Sequence, residues 1–335
     1  LKYDFQAYKK VKAVIEDFKP DIVHTHTSKP GAIGRIAAAH CKVPVILHTF
    51  HGHVFHSYFS PLKSQMIVQI ERFLAGKSNQ LIALSDQQKD ELVNTYKIAE
   101  AKKVQIIRLG LQLDKFTEHL QEKRKAFRSA FNIDDDTIAI GIIGRLAPIK
   151  NLSFFVRAFH ALLHSAKTTD KKLKAFIVGD GECRVQLELL CNELNLGFSS
   201  PEKPDYKQPV IFTSWRNDID TVAAGIDIVA LTSLNEGNPI SLIEAQAASK
   251  PIVATNCGGV KDVVKDGETA FLSPVGDLQS FVANLERLVT DETLRKTMGA
   301  NGVKIAFEKF SYKELIRSTC SLYEQELALH KHSLS

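Results

Sequence analysis

The stretch SLNEGNPISLIEA, residues 233–245, lies between a predicted strand and a predicted helix. The apolar run before it, residues 226–231, has the length of a buried strand, and the Gly-Asn-Pro sequence after Glu236 is typical of a turn. A helix is expected to begin at Pro-Ile-Ser, because proline is favoured at the first helical position. Glu244 then lies about one turn inside that helix. The stretch therefore predicts a strand–loop–helix unit with a carboxylate on each side of its corner.

This corner combines features that suit one kind of ligand. The first turn of a helix exposes backbone N–H groups and carries the positive end of the helix dipole, so it attracts anions. The two glutamates are hydrogen-bond acceptors, which suit hydroxyl-rich rings. A diphosphate flanked by such rings has this pattern. The corner therefore predicts a site for a nucleotide sugar.

Strands and helices alternate along almost the whole chain, which favours parallel, doubly wound sheets. A charged segment, residues 111–137, separates two such series and is interpreted as the crossover between domains. The sequence thus predicts an α/β protein with two Rossmann-like domains, 1–115 and 116–311, and a C-terminal helix, 312–335, that packs back toward the first domain. The predicted strands cover residues 21–26, 43–49, 80–85, 104–108, 138–143, 173–178, 209–212, 226–231, 251–254 and 270–272.

The bulk composition is that of a globular protein: 335 residues, 44% of them apolar and 24% charged. Five scattered cysteines without metal-ligand spacing favour a reduced, cytoplasmic setting. The net charge of +5 is concentrated in residues 1–110, which hold 16 Lys and Arg against 9 Asp and Glu. This excess fits an anionic membrane or an acidic acceptor, or a well-solvated surface. The lysines are dispersed without a binding motif, so no nucleic-acid partner is predicted.

Two cationic side chains follow the predicted strand 138–143, in the sequence GRLAPIKN, which begins at Gly144. Arg145 offers a planar fork of donors and Lys150 a point charge. Together they can neutralise a diphosphate without a metal ion. The alternative interpretation is that both are ordinary surface charges at a domain edge.

Glycine pairs follow two other predicted strands. Gly179 and Gly181 lie in the sequence VGDGE, and Gly258 and Gly259 follow the strand 251–254. The first pair resembles part of a dinucleotide-binding fingerprint, but the third glycine is missing, so no nicotinamide cofactor is predicted. Both pairs are expected to permit tight turns near the nucleotide.

His51 follows the predicted strand 43–49, in the sequence HTFHGH. The carboxyl ends of parallel strands face the crevice in which ligands bind, so His51 is a candidate for contact with a sugar hydroxyl or a phosphate, or for a proton relay. A structural role is the alternative. The other histidines of this region are interpreted as structural or surface residues, because neither HExxH spacing nor a cysteine partner supports a zinc site. They are His24, His26, His48, His53 and His56.

Taken in order, these motifs resemble those of the retaining glycosyltransferases of family 4, which have the GT-B fold of two Rossmann-like domains. The resemblance extends over nearly the whole chain, and the order of the motifs is more specific than any one of them. The motifs are Thr-Phe-His51-Gly, Gly-Arg145…Lys150-Asn, Gly-Asp-Gly-Glu182, Glu236-Gly-Asn-Pro…Glu244-Ala and Ala-Thr-Asn-Cys-Gly258-Gly.

The resemblance implies a role for each matching residue. Arg145 and Lys150 would bind the donor diphosphate, and Glu244 would chelate the ribose diol. Glu236 would contact the transferred sugar, and His51 would reach that sugar from the first, acceptor-side domain. Backbone amides of the corner would hold the sugar and the phosphates. The full set of donor-binding candidates is Gly144, Arg145, Lys150, Gly179, Gly181, Gly237, Asn238, Pro239, Ile240, Ser241, Leu242 and Glu244, with Glu236 and His51 as the catalytic candidates.

The implied reaction is transfer of a hexose or N-acetylhexosamine with retention at the anomeric carbon, without a metal cofactor and with a nucleotide sugar as co-substrate. UDP is the favoured nucleotide of the donor, and GDP remains an alternative. A glycosidase would also use two carboxylates. Glu236 and Glu244 share one corner, however, so they are interpreted as groups that bind different parts of one ligand.

The resemblance also suggests a setting. The segment that begins at His51 is similar to bacterial enzymes that build surface polysaccharide or lipopolysaccharide, whose acceptors are glycans or lipid-linked. The basic first domain and the amphipathic stretch 60–75 fit peripheral contact with the inner leaflet, or a core helix. About two βα units are expected to be missing from the start of the first domain. The alternative function is therefore a truncated, non-catalytic homologue that binds nucleotide or a partner.

Overall fold

The computed structural model describes residues 2–51 and 61–334. These residues form two compact units, which divide after Gly110 and again before Tyr312. The first unit contains the chain up to Gly110 together with the segment from Tyr312 onward, and the second is Leu111–Ser311. Each unit has its own parallel sheet, so the α/β prediction is confirmed.

The sheet of the first unit has four parallel strands in the order β1-β2-β3-β4. Its pattern of apolar runs separated by helices is the one that predicts a parallel sheet. A short α-helix, Asp86–Asp90, continues as a π-helical turn, Glu91–Thr95. The elements are α1 (Lys2–Phe18), β1 (Ile22–His26), α2 (Ser28–His40), β2 (Val45–Thr49), α3 (Pro61–Gly76), β3 (Gln80–Ala83), α4 (Asp86–Asp90) and β4 (Val104–Ile106).

The second unit has a parallel sheet of seven strands in the order β11-β10-β9-β5-β6-β8-β7. The elements are α5 (Leu120–Ala130), β5 (Thr137–Ile143), α6 (Leu152–Leu163), β6 (Lys172–Val178), α7 (Arg184–Glu193), β7 (Phe198–Ser199), β8 (Val210–Ser214), α8 (Ile219–Gly225), β9 (Ile228–Leu231), α9 (Ile240–Ala247), β10 (Ile252–Thr255), α10 (Val260–Val263), β11 (Ala270–Ser273), α11 (Leu278–Thr290) and α12 (Glu292–Phe310).

Both faces of this larger sheet are buried. Along β5, Ile138, Ile140 and Ile142 belong to one hydrophobic cluster and Ala139 to another, as expected because successive side chains of a strand point to opposite faces. Helices therefore cover both faces. Strand β7 was not predicted, because two residues at a sheet edge give no periodic signal.

The last helix, α13 (Tyr312–Leu334), packs on the sheet of the first unit. Leu322 is buried in one cluster with Val45 and Leu47 of β2 and Ile82 of β3. The helix therefore supplies part of the core of a sheet whose strands lie more than 200 residues earlier in the chain.

Candidate functional site

Four loops of the second unit leave neighbouring strands at the same edge of the sheet. They follow β10, β9, β5 and β6, which are adjacent in the sheet order. Parallel strands place their carboxyl ends together, so the motifs that follow them are brought into one region. These loops contain Gly144 to Lys150, Gly179 to Glu182, Glu236 with its Gly-Asn-Pro turn, and Gly258 with Gly259.

Lys150 and Glu236 form an ion pair at this edge. Lys150 Nζ lies 2.7 Å from Glu236 Oε1, and Ser233 Oγ donates to the same oxygen at 2.5 Å. The Glu236 side chain is only 9% exposed, so its carboxylate depends on these two donors. The orientation of Glu236 is thus fixed from two sides.

Backbone hydrogen bonds hold the two loops that supply this pair. The Leu234 amide donates to the Ile149 carbonyl oxygen at 2.8 Å, and Thr232 Oγ1 donates to the Lys150 carbonyl oxygen at 2.9 Å. Thr255 Oγ1 donates to the Ser233 carbonyl oxygen at 2.7 Å, from the end of β10. The loops after β5, β9 and β10 therefore form one connected structure.

Glycines allow these backbones to approach closely. At Gly179, where φ is +129°, a Cβ would lie 2.0 Å from the Gly144 carbonyl oxygen. At Gly181, with φ +157°, a Cβ would lie 2.6 Å from the Leu146 carbonyl oxygen. The Leu146 amide donates to the Asp180 carbonyl oxygen across the same contact, at 2.9 Å. The glycines of the VGDGE motif thus serve loop-to-loop packing.

The second glycine pair holds the Glu236 loop in the same way. A Cβ at Gly258 would lie 2.0 Å from the Glu236 carbonyl oxygen, and one at Gly259 would lie 1.8 Å from the Gly237 carbonyl oxygen. The Gly259 amide donates to the Glu236 carbonyl oxygen at 2.9 Å. Both glycines therefore fix the backbone beneath Glu236.

Arg145 is the more exposed of the two predicted cations, at 66% of its side chain. Its Nη2 lies 3.0 Å from Glu182 Oε2, and Nε donates to the same oxygen at 3.2 Å. An exposed ion pair of this kind contributes about 0–1 kcal/mol, so an incoming anion can displace the carboxylate at little cost.

Glu244 lies in the second turn of α9, as predicted, and is partly buried. Burial raises the pKa of its carboxyl group, while nearby Lys115 lowers that pKa and Asp220 raises it. Within residues 2–51 and 61–334, the Glu244 carboxylate has no hydrogen-bond donor or ion-pair partner. It is therefore a desolvated acceptor suited to a ligand's hydroxyl groups.

The predicted run of ligand-binding amides before and inside α9 is shorter than expected. The Leu242 amide donates to the Pro239 carbonyl oxygen at 3.0 Å, so it is already used in the first helical turn. In the described part of the chain, the amides of Asn238, Ile240 and Ser241 have no acceptor. These three amides remain able to bind an anion.

His51 lies in the first unit, exposed, two residues after β2. Its Nε2 lies 2.9 Å from Nδ1 of His26, the last residue of β1. His24 stacks on His26 with ring centroids 4.4 Å apart. The sequence interpretation treated His24 and His26 as structural or surface residues. Their spacing of two residues places both side chains on one face of a strand. That spacing is the sequence signal that could have grouped them with His51. His53 and His56 lie outside the described residues.

Residues 123–305 match the family described as "Glycosyl transferases group 1", and residues 1–115 match "Glycosyltransferase Family 4". The chain belongs to glycosyltransferase family 4. The predicted family and its GT-B fold are therefore confirmed.

Two relatives of this glycosyltransferase come from bacteria. The UDP-Gal:alpha-D-GlcNAc-diphosphoundecaprenol alpha-1,3-galactosyltransferase of Escherichia coli is 32% identical over 285 residues, which cover 84% of this chain and 70% of the relative. A second relative, the capsular polysaccharide biosynthesis glycosyltransferase CapM of Staphylococcus aureus, is 25% identical. The aligned region covers 96% of this chain and 80% of CapM. These relatives support a glycosyltransferase of polysaccharide synthesis.

A solved structure, Anabaena HepE in complex with UDP, is similar in fold, with a TM-score of 0.80 at 20% identity. The similarity covers 95% of this chain and 82% of the HepE chain. Among the described residues of this glycosyltransferase, no helix has the length and apolar character needed to cross a bilayer. The same residues contain no group of three or more His, Cys, Asp or Glu placed to hold a metal ion.

Proposed function

We propose that this glycosyltransferase transfers a hexose or N-acetylhexosamine from a UDP-sugar to a glycan or lipid-linked acceptor, with retention at the anomeric carbon. The observation that carries the proposal is the carboxyl edge of the second unit, where Lys150 and Glu236 are paired and Glu244 is a desolvated acceptor. The UDP bound by HepE and the diphosphoundecaprenol named for the E. coli relative support the donor and acceptor classes.

In this proposal each part of the donor has its own partner. Lys150 and Arg145 bind the diphosphate, Glu244 accepts hydrogen bonds from the ribose hydroxyls, and Glu236 accepts from hydroxyls of the transferred sugar. The diphosphate competes with Glu236 for Lys150, so donor binding opens one acceptor position on Glu236 Oε1 for the sugar while Ser233 keeps its hydrogen bond to that oxygen. The amides of Asn238, Ile240 and Ser241 add uncharged donors to the same anion.

The transfer step in this proposal needs no covalent bond to the protein. The acceptor hydroxyl attacks the anomeric carbon on the face from which UDP departs, and its proton passes to a diphosphate oxygen as the glycosidic bond breaks. Lys150 and Arg145 stabilise the negative charge that develops on the leaving diphosphate, and no metal ion is required for that. The protein therefore contributes orientation and electrostatic stabilisation.

The relatives support the proposed acceptor class and a role in polysaccharide synthesis. We propose a role in surface polysaccharide synthesis, such as that of lipopolysaccharide, at the inner face of the cytoplasmic membrane. The excess of Lys and Arg in residues 1–110 supports contact with an anionic leaflet.

Release of UDP or GDP from a panel of UDP- and GDP-sugars, with a GlcNAc-diphosphate-lipid acceptor, tests the proposal. We expect UDP-sugars to turn over, the product to keep the anomeric configuration of the donor, and Glu236→Gln to lose most of the turnover. Nucleotide binding without turnover would instead support the non-catalytic alternative. An inverted product would contradict the retaining mechanism.

A further inference from the structure

The strands β1 and β2 place two histidines side by side in the first unit. The strands are parallel, with His26 opposite Thr49 in their register. His51 follows two residues later, and its Nε2 lies 2.9 Å from His26 Nδ1. The ring centroids are 5.1 Å apart. The contact is therefore a hydrogen bond between two imidazole nitrogens.

Such a bond couples the protonation of the two rings. One nitrogen must carry the hydrogen and the other must offer its lone pair, so the two histidines hold complementary tautomers. With Nε2 engaged by His26, the nitrogen of His51 that remains for a ligand is Nδ1. Nothing in the described residues bonds to that nitrogen.

His26 is held in turn by its neighbours. His24 stacks on it, with ring planes 30° apart. Both nitrogens of His24 are used, one with the Tyr323 hydroxyl of α13 and one with Thr49 Oγ1, each at 2.7 Å. Burial, followed by the proximity of His26 and His51, lowers the pKa of His24 to about 4. His24 therefore stays neutral near pH 7 and adds no charge beside His26.

The stabilisation of the fold alone does not account for this arrangement. His26 and His51 are both exposed, and a hydrogen bond contributes only about 0.5–1.5 kcal/mol to stability. Tyr323 and Thr49 bond to His24, His24 stacks on His26, and His26 bonds to His51. This series of contacts ends at the exposed ring of His51, two residues after β2.

We propose that His26 is a positioning residue, which fixes the tautomer and ring orientation of His51 so that Nδ1 is the nitrogen left for a ligand. The His26–His51 coupling stands on geometry. Its effect on catalysis rests on the proposed transfer function and on the contact between His51 and the transferred sugar that the family resemblance implies. His24 is the support on which His26 stacks, and Tyr323 and Thr49 hold that support in place.

Two substitutions at one position separate positioning from packing. His26→Asn keeps a hydrogen-bonding atom near the place of Nδ1, whereas His26→Leu keeps bulk and removes the bond. Side-chain ¹⁵N shifts of His51 report its tautomer in the free protein, without any substrate. We expect one tautomer in the parent protein and in His26→Asn, and a mixture in His26→Leu.

Kinetics with the UDP-sugar that turns over give the second readout. We expect His26→Leu to lower kcat by about 10-fold or more, as for a misplaced catalytic group, with His26→Asn within about 3-fold of the parent. The Kd for UDP should change by less than about 2-fold, and His26→Leu/His51→Ala should be no slower than His51→Ala.

The outcomes separate this proposal from the proposed function. An unchanged His51 tautomer in His26→Leu would overturn the positioning role, whatever the activity. Full activity of His26→Leu beside an inactive His51→Ala would also overturn it. Full activity of His51→Ala would instead refute the role of His51 in transfer, while the tautomer data would still decide the coupling.

Discussion

At the residue scale, the closeness of the loops around Lys150 depends on positions without a side chain. Gly179 touches the Gly144 carbonyl oxygen, and Gly258 touches that of Glu236. Each contact fixes the position of a loop that carries a charged residue. The glycines thus act on the site through the backbone.

Gly179→Ala is predicted to destabilise the protein and to weaken UDP binding. The positive φ costs about 1–2 kcal/mol for an L side chain, and the collision with the Gly144 carbonyl oxygen adds about 1–3 kcal/mol. Gly276→Ala is the matched control, because its φ is also positive, at +84°, but no atom lies within 4 Å of the added Cβ. Chemical denaturation of both variants checks this. Equal losses of stability would show that the loop contact is unimportant.

At the element scale, the sequence predicts most of the helices and strands but few of the contacts between them. Apolar runs such as 138–143 predict their strands to within a residue or two. The π-helical turn Glu91–Thr95 and the edge strand β7 are not predicted, because neither is long enough to show a hydrophobic period of its own. The donor motifs were recognisable because each follows a strand. The His24–Tyr323 contact was not, since 299 positions separate its partners.

A buried ion pair joins α2 to α3. Arg35 Nη2 lies 2.7 Å from Glu71 Oε2, and both side chains are almost fully buried. Removal of one partner leaves an uncompensated charge, so Arg35→Met is predicted to cost about 3–5 kcal/mol. Arg35→Met/Glu71→Leu should recover most of that loss.

The exposed pair of Lys12 and Glu16, 3.3 Å apart, is the control for the buried one. Lys12→Met should leave the free energy of unfolding nearly unchanged, because an exposed ion pair is screened by solvent. Urea denaturation of the three variants gives the comparison. A double variant as unstable as Arg35→Met would show that packing, and not the charge, dominates at this contact.

At the scale of the whole molecule, the two units differ in how they are completed. The second unit is one continuous segment, Leu111–Ser311, with its own seven-stranded sheet. The first unit needs α13, which covers part of its sheet through Leu322 and holds His24 through Tyr323. The end of the chain therefore contributes to the fold of its beginning.

Deletion of residues 312–334 is predicted to destabilise the first unit selectively. It uncovers the apolar side chains of β2 and β3 that pack on α13 and removes the Tyr323 hydroxyl from His24. UDP binding, which we assign to the second unit, should stay within about 3-fold of the parent value, because the residues assigned to the donor lie within Leu111–Ser311. Calorimetry with and without UDP checks both parts. Loss of UDP binding would place part of the donor site outside Leu111–Ser311.

The affinity for UDP tests the central claim, that the carboxyl edge of the second unit holds a nucleotide sugar. Calorimetric titration would compare the parent protein with Lys150→Met, Glu244→Gln and the control Lys171→Met, whose lysine pairs with Asp170. We predict a loss of about 10-fold or more for Lys150→Met and Glu244→Gln, because each removes a charged hydrogen-bond partner, and no change for Lys171→Met. Unchanged affinity in both site variants would contradict the account.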